Sequence, residues 1–274
     1  MLRPLILNPT ADTIHAVSWL VAGSAGVDHV ADTGTSDNFR LRTATVQVKP
    51  WLSFGASYDK WVKKETKRSH DTVARWLDSA GLADQWDGNQ LLTGDNELEL
   101  VAQATADWEP SMLVCSTSSP LLSPLLHSSH YPLLIVPDRV RLSKHGPTRI
   151  TVDFSSDVVK ASALAGRMKL PLRIAAFLTE DFAAPNRLHL EMITSIREET
   201  LVKLDELRDQ VGGFVDDVET VIGSGADLDE AVHSIRWKKG DLISVTSTRS
   251  DKVFVTATAE QLIRTLHTPV VVGL

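Results

Sequence analysis

The sequence predicts an α/β protein made of two tandem, doubly wound parallel-sheet domains, and three observations predict it. The chain repeats itself with a period close to half of its 274 residues. Within each copy, short apolar runs of strand length alternate with longer segments whose apolar residues recur every three to four positions. The short runs are continuous rather than alternating, as strands buried on both faces of a parallel sheet require.

The elements pair off in order. Pro4–Leu7 ends at Asn8 and is matched by Arg149–Val152 ending at Asp153, each followed by a Ser/Thr/Asp cluster that opens a helix. Ile14, Val17 and Val21 mark the first helix of one copy, and Val158, Ser162 and Ala165 that of the other. Val46–Val48 and Arg173–Phe177 read as second strands. The helices after them carry Tyr58, Val62, Ser69, Val73 and Trp76, or Ile193, Ile196, Thr200, Leu204, Leu207 and Val211.

Leu91–Gly94 and Val221–Gly225 are strands that end at glycine. Helices with Leu98, Val101 and Ala104, or Leu228, Val232 and Ile235, come next and lead past Trp108 or Trp237. Fourth strands follow at Met112–Cys115 and Leu242–Val245, and closing strands at Leu133–Val136 and Val270–Val272. The polar segment 138–147, broken by His145-Gly146-Pro147, separates a domain at 1–137 from one at 148–274.

Composition narrows the function. Hydrophobic residues at 43% and charged residues at 23% describe a folded, soluble chain. A net charge of -7 argues against a nucleic-acid partner, which needs a clustered basic surface, and gives no attraction to anionic lipid. The lone Cys115 excludes an internal disulfide and a cysteine-based zinc site. No apolar run reaches membrane-spanning length, and Met1–Leu5 lacks the pattern of a cleaved leader, so the expected location is cytoplasmic.

Val152-Asp153-Phe154-Ser155, the strand Val221–Gly225, Asp241-Leu242-Ile243 and the closing Pro269-Val270-Val271-Val272 together resemble the universal stress protein family. The resemblance spans nearly the whole chain as two tandem copies, and it implies a Rossmann-like fold. It also implies association through the last strands. Leu133–Val136 and Val270–Val272 would pair about an internal pseudo-twofold, making one chain an intramolecular pseudo-dimer that can dimerise further.

The ATP-binding branch of the family carries G-2x-G-9x-G-[ST] after the fourth strand, where glycines let backbone amides approach phosphates. Here the first two glycine positions read Thr246-Ser247-Thr248-Arg249, and the third aligns with Thr256. Copy one has Ser116–Ser119 running into Pro120. The family's nucleotide-contacting aspartate is kept as Asp153, with Asn8 as its counterpart.

The candidate ligand-binding residues are therefore Asp153, Gly223, Gly225, Ser247, Thr248 and Arg249, with ATP disfavoured as a cofactor. Each has a plainer reading: Asp153 as a capping carboxylate, the glycines as a strand end, and the hydroxyl-rich loop as exposed chain. Cys115 reads as a buried inert thiol. His127 and His130 lack companions at metal-ligand spacing. Lys60, Lys63, Lys64, Lys67 and Arg68 read as the solvated face of a helix, and Trp61 and Trp76 as packing residues.

Two functions follow. One is a non-catalytic stress-response or regulatory module acting through an unidentified protein partner. The other is a nucleotide or small-ligand binder with weak ATPase activity, using the second domain. No nucleophile or acid–base constellation points to any other enzyme.

Overall fold

The computed structural model describes residues 2–25, 39–48, 56–179, 187–245 and 262–273. It divides into two compact units, Met1–Val21 with Asp28–Val140 and Ala22–Val27 with Arg141–Leu274.

Unit one runs β1 (Pro4–Leu7), α1 (Ala11–Ala25), β2 (Leu41–Val48), α2 (Ala56–Ser79), β3 (Trp86–Gly94), α3 (Glu97–Trp108), β4 (Met112–Ser116), α4 (Leu122–Ser128) and β5 (Leu133–Val136). Its strands lie in the order β3-β2-β1-β4-β5, every neighbouring pair parallel. β1 and β5 are buried along their whole length, as continuous apolar runs predict. Ile14, Val17, Val73, Leu77, Val101 and Ala104 close the core from the helices.

Two expectations shift. β2 begins at Leu41 and β3 at Trp86, each five residues before the apolar run that marks it. β3 stands at one end of this strand order, bonded to β2 alone, so polar residues such as Asp87 and Asn89 are admitted there. On α3 the buried stripe is Leu100, Val101, Ala104 and Trp108, while Leu98 is 38% exposed. The Asn96 side chain sets that register by accepting from the Leu98 N–H at 3.0 Å. On α2 the five basic residues from Lys60 to Arg68 all face solvent.

Unit two runs β6 (Arg149–Asp153), α5 (Val158–Met168), β7 (Leu172–Thr179), α6 (Arg187–Val211), β8 (Val218–Gly225), α7 (Leu228–His233), β9 (Asp241–Val245) and β10 (Val270–Val272). Its order is β8-β7-β6-β9-β10, again parallel throughout. Asp157 caps α5 through the Lys160 N–H, and Asp227 caps α7 through the Glu230 N–H. Both units therefore reverse their strand order beside the first strand, between β1 and β4 and between β6 and β9, with all strands parallel. Open α/β sheets bind ligands at such switch points, beyond the strand C-termini.

Candidate functional site

Asp153 ends β6 at the switch point of unit two and is 6% exposed. Its carboxylate accepts from the Ser155 hydroxyl, and its backbone carbonyl accepts from the Ser156 N–H at 2.9 Å. Burial pushes the carboxyl up to about 6, against the hydrogen bonds of the Ser155 hydroxyl and the Ser155 and Phe154 amides, which favour the ionised form. The side chain is thus a carboxyl that changes charge just below neutral pH. Ser247, Thr248 and Arg249, together with Thr246 and Thr256, lie outside the described residues.

Gly223 and Gly225 are used for packing. A Cβ on Gly223 would lie 2.2 Å from the Ala231 carbonyl oxygen, and one on Gly225 2.5 Å from the Ala231 amide nitrogen. Both glycines let α7 settle directly on β8. They lie on β8, two strands from Asp153 across β7.

The ladders change the equivalence between the copies. Leu7 lies opposite Ala44, and the next amide, Asn8 N–H, donates to the Ala44 carbonyl at 2.8 Å. Asp153 lies opposite Ala175, and the next amide, Phe154 N–H, donates to the Ala175 carbonyl at 2.8 Å. Leu7, not Asn8, is therefore the positional counterpart of Asp153. Asn8 adopts a φ of 47°, a left-handed conformation that asparagine tolerates. Its Oδ1 accepts from the Val46 N–H at 2.7 Å and extends the β1–β2 ladder by one bond.

The turn after β4 in unit one is closed on itself. Thr117 N–H donates to the Val136 carbonyl at 3.0 Å, Ser119 N–H to the Ser116 carbonyl at 3.1 Å, and Leu122 N–H to the Ser119 carbonyl at 3.1 Å. Leu121 N–H donates to the Ser119 hydroxyl at 3.3 Å, and Pro120 has no N–H to give. Two carboxylates border this turn. Asp138 accepts from the Ser118 hydroxyl at 3.1 Å, and Asp12 accepts from the Arg139 N–H at 2.9 Å. The amides of Thr117, Ser119, Leu121 and Leu122 are thus occupied, and the charge of Asp12 and Asp138 beside them is negative.

Unit one also has an open cleft of about 450 Å³ between α2 and the ends of β1 and β2, lined by Asn8, Gln47, Glu65, Arg68, Thr72 and Trp76 among others. On its floor the Thr45 and Ser69 hydroxyls bond to each other at 2.7 Å, and the Asn89 amide donates to Ser69 at 2.8 Å.

A feature not foreseen from the sequence lies at the opposite, N-terminal ends of β6, β7 and β9. Asp241, fully buried, accepts from Arg149 Nε and Nη2, both at 2.9 Å, and from Arg173 Nη2 at 3.4 Å. Glu219 takes Arg149 Nη1 at 2.8 Å, and the Lys238 N–H reaches Asp241 at 2.8 Å. Arg173, 2% exposed, also donates to Thr151 and to the Arg236 carbonyl, and lies 4.7 Å from the centre of the Trp237 ring.

Burial works against the charge on Arg149, but the hydrogen bonds and attraction of Asp241, with those of Glu219, outweigh it and raise its pKa. On Arg173 burial and the neighbouring Arg149 charge prevail and lower it. The hint in the sequence is that Arg149, Arg173 and Asp241 all open apolar runs.

His127 Nδ1 pairs with the Ser123 carbonyl at 2.8 Å, and no group of three or more metal-ligating side chains occurs among the described residues. Cys115 is buried, and burial pushes its thiol up to about 12. No helix among the described residues is long and apolar enough to cross a membrane.

No protein-family model matches the sequence, and no curated protein matches it significantly. Solved structures do match. A universal stress protein from Archaeoglobus fulgidus DSM 4304 superposes with a TM-score of 0.56 at 15% identity, covering 98% of this chain and 95% of that one. A protein of unknown function from Pseudomonas aeruginosa PAO1 gives 0.50 at 13%, covering 99% and 92%. A candidate universal stress protein from Pseudomonas aeruginosa UCBPP-PA14 gives 0.51 at 14%, with the same coverage of 99% and 92%. Over nearly its whole length, the chain has the universal stress protein fold.

Proposed function

We propose that this chain is a non-catalytic stress-response or regulatory module that acts through a protein partner and does not hold ATP by a phosphate loop. The closed turn after β4 supports this most directly. Its amides at Thr117, Ser119, Leu121 and Leu122 are already bonded, and Asp12 and Asp138 stand beside it. Opening it to a triphosphate would break hydrogen bonds of about 0.5–1.5 kcal/mol each and bring like charges together. Leu7 at the position of Asp153 removes the polar group that would meet a nucleoside there.

One observation favours a second reading, a nucleotide or small-ligand binder with weak ATPase activity. Asp153 is a carboxyl at the switch point of unit two, beside the end of β9. Calorimetric titration with Mg-ATP separates the two. The regulatory reading expects no saturable heat in the micromolar range and no adenine absorbance in purified protein. Micromolar binding abolished by Asp153→Ala would replace it with the second.

A further inference from the structure

The N-terminal end of unit one repeats the arginine cluster of unit two with its acid removed. With Leu7 equivalent to Asp153 and Ala44 to Ala175, Arg3 stands where Arg149 does and Arg42 where Arg173 does. Pro4 pairs with Met112 as Ile150 pairs with Leu242, so Ser111 holds the position of Asp241. The contacts agree: Arg3 N–H donates to the Ser111 hydroxyl at 2.8 Å, and Ser111 N–H to the Arg3 carbonyl at 3.0 Å.

Here the two cations are gathered on one tryptophan ring. Arg3 and Arg42 each lie 4.4 Å from the centre of the Trp108 ring, and Arg3 Nη2 donates to the Trp108 carbonyl at 2.6 Å. Trp237 holds Arg173 in the same manner. What differs is the acceptor side. Asp241 and Glu219 neutralise the cluster in unit two, whereas among the described residues no carboxylate forms an ion pair with Arg3 or Arg42. Asp87, on the strand beside β2, pairs with Arg40 instead, at 3.6 Å.

A further donor lacks an acceptor. The buried indole Nε1–H of Trp108 has no hydrogen-bond partner, whereas that of Trp237 donates to the Val232 carbonyl at 2.8 Å. Buried donors are seldom left unpaired, and two guanidiniums sharing one ring attract an oxyanion with planar, forked geometry. Ser111 is exposed, so the position is open to solvent.

We propose that Arg3, Arg42 and Ser111 form a binding site for a small carboxylate, which takes the place that the Asp241 side chain fills in unit two. A carboxylate fits because that is the group the same scaffold already holds between two arginines. Ser111, short and exposed, stands where the Asp241 side chain stands in unit two. The site lies at the strand N-termini, away from the switch point, and stands independently of the regulatory reading.

The test is a titration of the full chain with acetate at constant ionic strength, acetate replacing chloride, followed by the Nε–Hε NMR signals of Arg3 and Arg42. Saturable shifts in the millimolar range are expected for the wild type. Ser111→Asp supplies the acid from within. It should abolish those shifts, raise Tm in acetate-free buffer and remove the acetate dependence of Tm. Arg42→Gln should abolish saturation while leaving Tm in chloride nearly unchanged, and it carries the test if Ser111→Asp does not fold. Shifts that rise linearly with acetate, or that persist unchanged in Arg42→Gln, overturn the proposal. Phosphate titrated alongside should saturate more weakly; tighter saturation by phosphate would overturn the carboxylate assignment.

Discussion

Asp241→Ala strips unit two of the acid that two buried guanidiniums share. The carboxylate receives two hydrogen bonds from Arg149, a longer one from Arg173 at 3.4 Å and the Lys238 N–H. After the substitution Arg149 keeps its ion pair with Glu219, whereas Arg173 keeps the more distant attraction of Glu219 and hydrogen bonds only to neutral partners, Thr151 and the Arg236 carbonyl, beside the face of Trp237. Removing one partner from a buried ion pair costs about 3–5 kcal/mol, because the remaining charge stays desolvated without compensation.

Urea denaturation at pH 7, followed by far-UV circular dichroism, measures the loss. Adding Arg149→Met and Arg173→Leu to Asp241→Ala should recover most of it, because apolar side chains then replace all three buried ions and the remaining Glu219 is half exposed to water. A loss below about 1 kcal/mol for Asp241→Ala would refute the reasoning, as would a loss that survives in the triple variant.

Further outcomes follow from the same geometry. Asp153 has its carboxyl raised to about 6 in the folded chain, against 3.8 unfolded, so its contribution is full below pH 4 and is lost as pH rises through 6. The loss amounts to about 3 kcal/mol; Asp153→Asn should flatten the stability profile over that window, and an unchanged slope in urea titrations would contradict the assignment. Gly223→Ala drives a Cβ to 2.2 Å from the Ala231 carbonyl and should cost about 2–3 kcal/mol in thermal unfolding. Gly94→Ala meets first the movable Leu100 side chain, at 3.0 Å, and should cost less; equal costs would show that α7 does not constrain β8. Cys115, with its thiol near 12, should label over hours in native protein and within seconds in denaturant, and prompt native labelling would restore a redox role.

What could be read from the sequence was set by burial. β5 and β10 were visible at full length because continuous apolar runs admit one interpretation. The first half of β3 was hidden because Trp86-Asp87-Gly88-Asn89-Gln90 sits where only one side needs a neighbour, and polar residues there carry no strand signal. Asn8 was matched to Asp153 on polarity, whereas the ladder counts residues from Ala44 and Ala175 and puts Leu7 there. The arginine cluster escaped because its members lie up to 92 residues apart, and only the parallel register brings them together. Gly223 and Gly225 showed as a strand end, but their contact with Ala231 depends on where α7 lands.

The central strands of the two units differ in one respect that bears on cooperativity. β1, Pro4-Leu5-Ile6-Leu7, has no ionisable side chain. β6 begins with Arg149, anchored on Asp241, and ends with Asp153. Moving the solvent toward acid finds no group to protonate on β1, whereas on β6 it relieves the buried carboxyl of Asp153 at the strand's end. The melting temperatures of the two halves must then drift relative to each other with pH. A single heat-absorption peak belongs to the narrow range where they coincide, and elsewhere one free energy of unfolding no longer describes the whole chain.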